Sequence, residues 1–291
     1  MSFEFKLLFL GTGTSTGVPM VGCDCPVCRS DDPLNHRLRS SAYLSAGDLR
    51  VLIDTSPDFR QQALRANIRR IDAALVTHAH VDHLFGLDDI RRINTVQGGE
   101  AIPLYASSSA LGDIRRIFDY VFKPNVPGTY RPKLDLRPSD APFSIPAPDE
   151  GGEPLRVTPF AVVHGWTHTQ GFRFDFSGRS LAYMPDLNEL PEESRAIIRG
   201  VGVLVLDTLR HRPHPTHLSL DQSLEIIADL RPGRAYLTHL CHDLDHRALT
   251  AELDARQLPH VRPAYDGLEI DLAHPLERTT SAPSNLAMPS V

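Results

Sequence analysis

The sequence predicts a sheet sandwich flanked by helices on both outer faces. Two observations carry that prediction. Strand-like runs come first as a meander and then alternate with helical stretches. That order occurs twice, the pattern of two mixed sheets each covered by its own helices. A chain of 291 residues is long enough for the core such an architecture needs.

The elements follow in order. Residues 4–10, 41–46 and 49–54 are apolar and partly β-branched runs that read as strands, with Gly47-Asp48 as a hairpin turn. Ser56-Pro57 opens a helix to about Asn67, with Ser56 as cap and Pro57 in its first turn. "IDAALVTH" (71–78) is a buried strand ending in histidine, and "GLDDIRRIN" (86–94) is helical. "IPLYAS" and "SALGDIRRIFDYVF" repeat the strand–helix order. Residues 123–154 are rich in Pro, Gly and Asp without periodicity, the mark of a long loop or insert.

The second half resumes with strands "LRVTPFAVVHG", "TQGFRFDFSG" and "RSLAYMPD", then a helix opening at Pro191. "VGVLVLD" (201–207) is a strand, and a His/Pro loop leads to a helix after Leu218-Ser219. "RAYLTHL" (234–240) is a strand, 246–257 a helix, and "AYDGLEIDL" a closing hairpin on an Asp-Gly turn. A single domain over 1–274 is expected, followed by a Ser/Pro/Thr-rich tail, 275–291, whose composition predicts disorder.

Composition is that of a globular protein, 41% hydrophobic and 23% charged. No run approaches the roughly 18 apolar residues of a membrane helix. "MSFEFKLLFLGTG" is too short and too acidic for a signal peptide and reads as the first strand, so the cytoplasm is the expected compartment. A formal charge of -6 gives no global basic field, so a nucleic-acid polymer is not an expected partner. The pairs Arg69-Arg70, Arg91-Arg92 and Arg115-Arg116 read as solvated helix faces. Four cysteines, three of them as C-x-C-x-x-C at 23, 25 and 28, suit a metal site better than disulfides in a reducing compartment.

The decisive stretch is "THAHVDHLFG" (77–86). It holds His78, His80, Asp82 and His83 within six positions. Imidazole and carboxylate are ligands for zinc, iron and manganese. His78 and His80, two apart on an extended strand end, point the same way. Asp82 and His83 sit on the turn into the next helix. One short loop can thus face two adjacent metals with two pairs of ligands.

H-x-H-x-D-H after a β-strand resembles the signature of the metallo-β-lactamase fold, an αββα four-layer sandwich with metals at its strand ends. The resemblance covers about residues 4–272 and implies three further ligands, each closing a later strand. "AVVHG" offers His164, with His168 a second candidate in the same loop. "LAYMPD" offers Asp186, and "RAYLTH" offers His239. It implies that His78, His80 and His164 hold one metal and that Asp82, His83 and His239 hold the other. Asp186 lies between them, and a bridging hydroxide is the nucleophile. Ligand type does not choose between zinc and manganese.

Within that fold the chain looks most like the phosphonate-pathway enzymes that open phosphoribosyl 1,2-cyclic phosphate. "GTGTSTGVP", "GCDCPVC", "LIDTSPDFRQQ" and the histidine motif, in that order, carry the likeness. The first of these lacks the spacing of a dinucleotide or P-loop motif and reads as a tight turn near the metals. The resemblance implies a structural zinc on Cys23, Cys25, Cys28 and His242, three residues after His239. Cys241 is a rival fourth ligand. It also implies His217 as general acid for the leaving oxygen, with Asp82 the other catalytic residue, and a homodimer. A phosphodiester leaves as an alkoxide, which needs a proton, and histidine can supply one near neutral pH. His211 and His214 are read as substrate-side or solvated, Asp207 as either an orienting group or a strand cap. "RLRSSAYL" and "HTQGF" are candidate phosphate or sugar contacts.

The expected function is therefore a dinuclear metal phosphodiesterase on a small or cyclic phosphodiester. An RNA 3′-processing nuclease and a thioester hydrolase on the same fold are the alternatives, with a non-catalytic metal-binding scaffold as the reading from another class.

Overall fold

The computed structural model describes residues 4–124 and 128–273; the expected disordered tail, 275–291, lies outside them. Strands β1 (Phe5–Gly11), β2 (Ser41–Ala46) and β3 (Leu49–Ile53) form an antiparallel meander, continued in parallel by β4 (Ala73–Leu75), β5 (Ile102–Ala106) and β6 (Leu134–Pro138). The second sheet repeats the scheme. β7 (Phe143–Ile145), β8 (Leu155–His164), β9 (Thr167–Phe176) and β10 (Arg179–Met184) are antiparallel. β11 (Val203–Asp207), β12 (Arg234–Thr238) and β13 (Val261–Pro263) then run parallel. β14 (Glu269–Asp271) returns to the first sheet beside β1, so among the described residues each sheet has seven strands.

Side chains alternate across each strand, which divides the core into three layers. Phe5, Leu7, Phe9, Val51 and Ile53 of the first sheet meet Phe172, Phe174, Leu181 and Val205 of the second between the sheets. The opposite face of the first sheet, with Leu52, Ala74 and Leu104, is covered by helices α1 (Phe59–Arg65), α2 (Val81–Leu84), α3 (Ile90–Val96) and α4 (Ser108–Ile117), which α5 (Asp119–Phe122) extends. On the second sheet Ala182, Leu204, Leu206 and Leu237 pack under α6 (Glu192–Ile198), α7 (Leu220–Leu230) and α8 (His246–Ala255). The result is the αββα sandwich.

Three local expectations are corrected. α1 begins at Phe59 rather than at Pro57, with Asp58 before it. The Asp58 carboxylate is engaged by Arg39, through its backbone N–H and its guanidinium, and makes no cap hydrogen bond. Residues 123–154 hold two short edge strands, β6 and β7, one in each sheet, so the segment carries the chain from the first sheet to the second. "AYDGLEIDL" is a crossover between sheets, not a hairpin. Asp266 at its turn is buried, and its carboxylate accepts hydrogen bonds from the N–H and hydroxyl of Thr12 and from the N–H of Leu38.

The glycine-rich turn after β1 is a close-packing device. A Cβ on Gly11 would lie 2.0 Å from the carbonyl oxygen of Arg39, so only glycine fits there.

Candidate metal centre

The ends of β4, β8, β10, β11 and β12 converge on one edge of the sandwich, and the sequence-predicted donors meet there. His78 follows β4, His80 precedes α2, and Asp82 and His83 lie in the single turn of α2. His164 closes β8, Asp186 follows β10, His239 follows β12.

Two groups form. The first is His78, His80 and His164, with His78 Nε2 2.9 Å and His164 Nε2 3.3 Å from His80 Nδ1. The second is Asp82, His83, Asp186 and His239, all buried. Asp186 joins them. Its Oδ1 lies 3.2 Å from His83 Nε2 and 3.4 Å from His239 Nε2, while its Oδ2 lies 3.8 Å from His78 Nε2 and 3.7 Å from His164 Nε2. One carboxylate thus presents one oxygen to each group.

The donors fit cations. His83 Nε2, Asp186 Oδ1 and His239 Nε2 are buried without a hydrogen-bond partner, a condition that costs about 1–3 kcal/mol per group if nothing binds them. Converging imidazole and carboxylate donors are what zinc and manganese accept. Burial pushes His78 well below the usual imidazole range, which leaves it a neutral donor. Burial would raise Asp82, but His83 and His239 outweigh it and hold the carboxyl well below its usual range.

Four of the five imidazoles are oriented from behind, which sets which nitrogen faces inward; His239 Nδ1 is buried without a hydrogen-bond partner. His83 Nδ1 meets buried Asp54 Oδ2 at 2.7 Å, and Asp54 also accepts from Thr77. His78 Nδ1 meets the Thr77 hydroxyl at 3.0 Å, His164 Nδ1 donates to the Thr216 carbonyl at 2.8 Å, and His80 Nε2 meets the Thr167 hydroxyl at 2.8 Å. Asp54 and His239 both hold positive φ, 61° and 58°, strain that the surrounding packing must enforce.

Sequence reading missed Asp54, Thr77, Thr167 and Thr216. Asp54 left a signal, a strand-closing carboxylate inside "LIDTSPDFRQQ"; the threonines left none.

His217 stands at the cluster's edge, with donor atoms near those of His164 and Asp186 and its ring stacked 4.6 Å from that of His239. Its Nδ1 lies 2.8 Å from Oδ2 of buried Asp207, which also accepts from the N–H of Leu187. Asp207 is thus an orienting group for His217 rather than a plain strand cap. Burial pushes His217 below the usual imidazole range and Asp207 well above the usual carboxylate range.

The remaining candidates separate. His168 is exposed and outside both groups. His211 pairs with Glu252 on the surface, and His214 lies 5.2 Å, ring to ring, from His217. Cys23, Cys25 and Cys28 gather around His242 Nδ1 at 3.1, 3.5 and 3.6 Å. Cys241 is buried outside that group, its Sγ accepting from the N–H of Asp243. The four-donor cluster ties the loop after β1 to the end of β12 and leaves no open position, as a structural zinc site requires. Among the described residues no helix is long and apolar enough to cross a membrane.

The family described as "Beta-lactamase superfamily domain" matches residues 49–240. A Porphyromonas gingivalis protein named octanoyltransferase is 38% identical over 268 residues, 91% of this chain and 51% of that protein. The chain thus spans about half that relative's length. A solved diphosphatase of the PhnP family has a TM-score of 0.79 at 39% identity, covering 92% of this chain and 98% of the other. Zinc-bound PqqB from Methylobacterium extorquens has a TM-score of 0.71 at 25% identity, covering 92% of this chain and all (100%) of the other.

Proposed function

This chain belongs to the beta-lactamase superfamily and is a metal-dependent hydrolase; on that premise we propose that it is a dinuclear phosphodiesterase acting on a small or cyclic phosphodiester. The observation that carries the proposal is Asp186, whose two carboxylate oxygens face the two histidine groups separately.

His78, His80 and His164 would hold one ion and Asp82, His83 and His239 the other, with Asp186 shared; Cys23, Cys25, Cys28 and His242 would hold a structural zinc. A bound pair of divalent ions supplies Lewis acidity toward a phosphoryl oxygen and lowers the pKa of water. The chain's own residues do the rest. Water attacks phosphorus and the bond to the departing oxygen breaks. Asp82, held ionised, would accept a hydrogen bond from the attacking water and orient it, and the proton that water gives up passes to solvent. His217, beside His164, Asp186 and His239, gives a proton to the departing alkoxide, and Asp207 keeps its ring aimed at the cluster. A small substrate rather than a nucleic-acid polymer, and the cytoplasm as compartment, belong to the same proposal; the formal charge of -6 supports the former.

The test is hydrolysis of bis(p-nitrophenyl) phosphate by protein supplied with Mn²⁺ or Zn²⁺, beside an Asp186→Ala control. Turnover that disappears in the control supports the proposal; none in fully loaded protein overturns it.

One observation favours a second reading. The Porphyromonas gingivalis relative is named for an acyl transfer, and the same donor set could polarise an acyl carbonyl. Hydrolysis of octanoyl thioesters faster than of any phosphodiester would favour that reading.

A further inference from the structure

We infer that Arg37 is the positioning residue of the cysteine cluster: its guanidinium grips the backbone on both sides of His242, so the four donors are gathered before a metal arrives. The inference rests on the reading of Cys23, Cys25, Cys28 and His242 as zinc ligands and is independent of the substrate.

Arg37 is 1% exposed. Burial pushes its guanidinium down to about 10, which leaves it charged at neutral pH. A buried cation needs acceptors, and those that Arg37 finds are uncharged. Nη1 donates to the Cys241 carbonyl at 2.8 Å. Nη2 donates to the Leu244 carbonyl at 2.7 Å and to Asn35 Oδ1 at 3.3 Å. His242 lies between the two carbonyls, and Arg37 Nε is buried without a partner. A cation held this way returns little stability, since an apolar side chain of similar volume often does as well. What the guanidinium provides is geometry. A planar fork reaches two carbonyls at once, which an ammonium on a flexible stem does not.

Two further contacts extend the grip. Arg37 pairs with Val18 through both backbone groups, at 2.7 and 2.9 Å, and so with the loop that runs into Cys23. Asn35 Oδ1 also accepts from the N–H of His246 at 2.9 Å, and Asn35 Nδ2 donates to Asp245 Oδ2 at 2.7 Å. None of these contacts uses a donor of the cluster. The turn that carries His242 is therefore fastened to the cysteine loop at 241, 244, 245 and 246 without help from zinc. Small metal sites built otherwise gather their donors when the metal binds, and part of the binding free energy then goes into ordering. A cluster gathered in advance avoids that cost.

Cobalt(II) reads this cluster apart from the His/Asp centre, because thiolate ligands give it a charge-transfer band that imidazole and carboxylate do not. Metal-free full-length wild type and Arg37→Lys are each titrated with Co²⁺ at that band and then competed with Zn²⁺. Arg37→Lys keeps the charge and loses the fork. It should bind about 10- to 100-fold more weakly, with the shape of the band unchanged. Its far-UV circular dichroism in excess zinc should match wild type.

A second measurement needs no variant. In metal-free wild type the amides of Leu240, Cys241 and Leu244, bonded to the carbonyls of Thr12, Leu209 and Cys241, should exchange with solvent as slowly as in zinc-loaded protein. Equal cobalt affinity in the two proteins overturns the inference. So does exchange at these amides that rises to the rate of an exposed loop once zinc is removed. A wild type without the thiolate band would sink the zinc reading instead, and slow exchange in that protein would still support the clamp.

Discussion

Oδ2 of Asp207 lies 2.8 Å from Nδ1 of His217, and this contact fixes which face of the imidazole looks toward the metal donors. Asp207 is buried at the end of β11, and its Oδ2 also accepts from the N–H of Leu187. His217 therefore cannot swing away without breaking a buried hydrogen bond, and Asp207 cannot follow it without breaking a second. A histidine so held suits proton delivery to a departing oxygen.

That role predicts a dependence on the leaving group. His217→Ala and Asp207→Asn should slow hydrolysis of an alkyl diester by about 10²- to 10⁴-fold. A p-nitrophenyl diester, whose leaving group needs no proton, should slow far less. Metal content should stay unchanged. Equal slowing of both substrates would remove His217 from the acid role.

The hydroxyl of Thr167 predicts an effect on metal binding. Thr167→Val leaves His80 Nε2 without its partner, and partners of this kind are worth about 10- to 100-fold in metal affinity. Competition against a chelating dye should show that weakening, with Thr167→Ser close to wild type. Identical affinity in all three proteins would show that His80 needs no such support.

Geometry around His242 predicts a clean distinction between neighbours. His242→Ala should lose one zinc per chain and lower the thermal midpoint, because the cluster ties the loop after β1 to the end of β12. Cys241→Ala should keep the full zinc content. The opposite result would exchange their roles.

His246 predicts a pH dependence of stability. It is buried at the start of α8, its Nδ1 lacks a partner, and burial with Arg37 nearby pushes it from 6.5 to about 4. Between those values the unfolded chain binds the proton and the folded chain does not, so stability rises with pH through that window and levels above it. The contribution is roughly 3 kcal/mol at most. Asp266, pushed up from 3.8 to about 6, acts with the opposite sign in the same range. The measurement is therefore a difference: His246→Gln should flatten the rise relative to wild type between about pH 4 and 6.5. Parallel curves would show that His246 keeps its ordinary pKa when folded.

Much of this was legible in the sequence because strand ends are where an αββα sandwich presents its side chains. Apolar runs that stop at His78, His164, Asp186 and His239 mark both the strands and the site. Less was legible where tertiary contacts decide. Asp266 looked like a turn residue in a hairpin, yet its carboxylate anchors a crossover through Thr12 and Leu38, partners far away in sequence. Residues 123–154 hid two edge strands because short edge strands carry little hydrophobic pattern, as Leu134–Pro138 shows by its mostly exposed side chains. The hydroxyls of Thr77 and Thr167 could not be singled out, since nothing local distinguishes a threonine behind a ligand from any other strand threonine.

The most direct test of the dinuclear centre is the metal content of purified protein by inductively coupled plasma mass spectrometry, wild type beside Asp186→Ala. The account predicts about three divalent ions per chain in wild type, two at the His/Asp cluster and one on the cysteines. Asp186→Ala should keep the cysteine-bound zinc and lose at least one of the other two. A wild-type chain that holds no more than one ion beyond the cysteine-bound zinc, and still hydrolyses a phosphodiester, would contradict it.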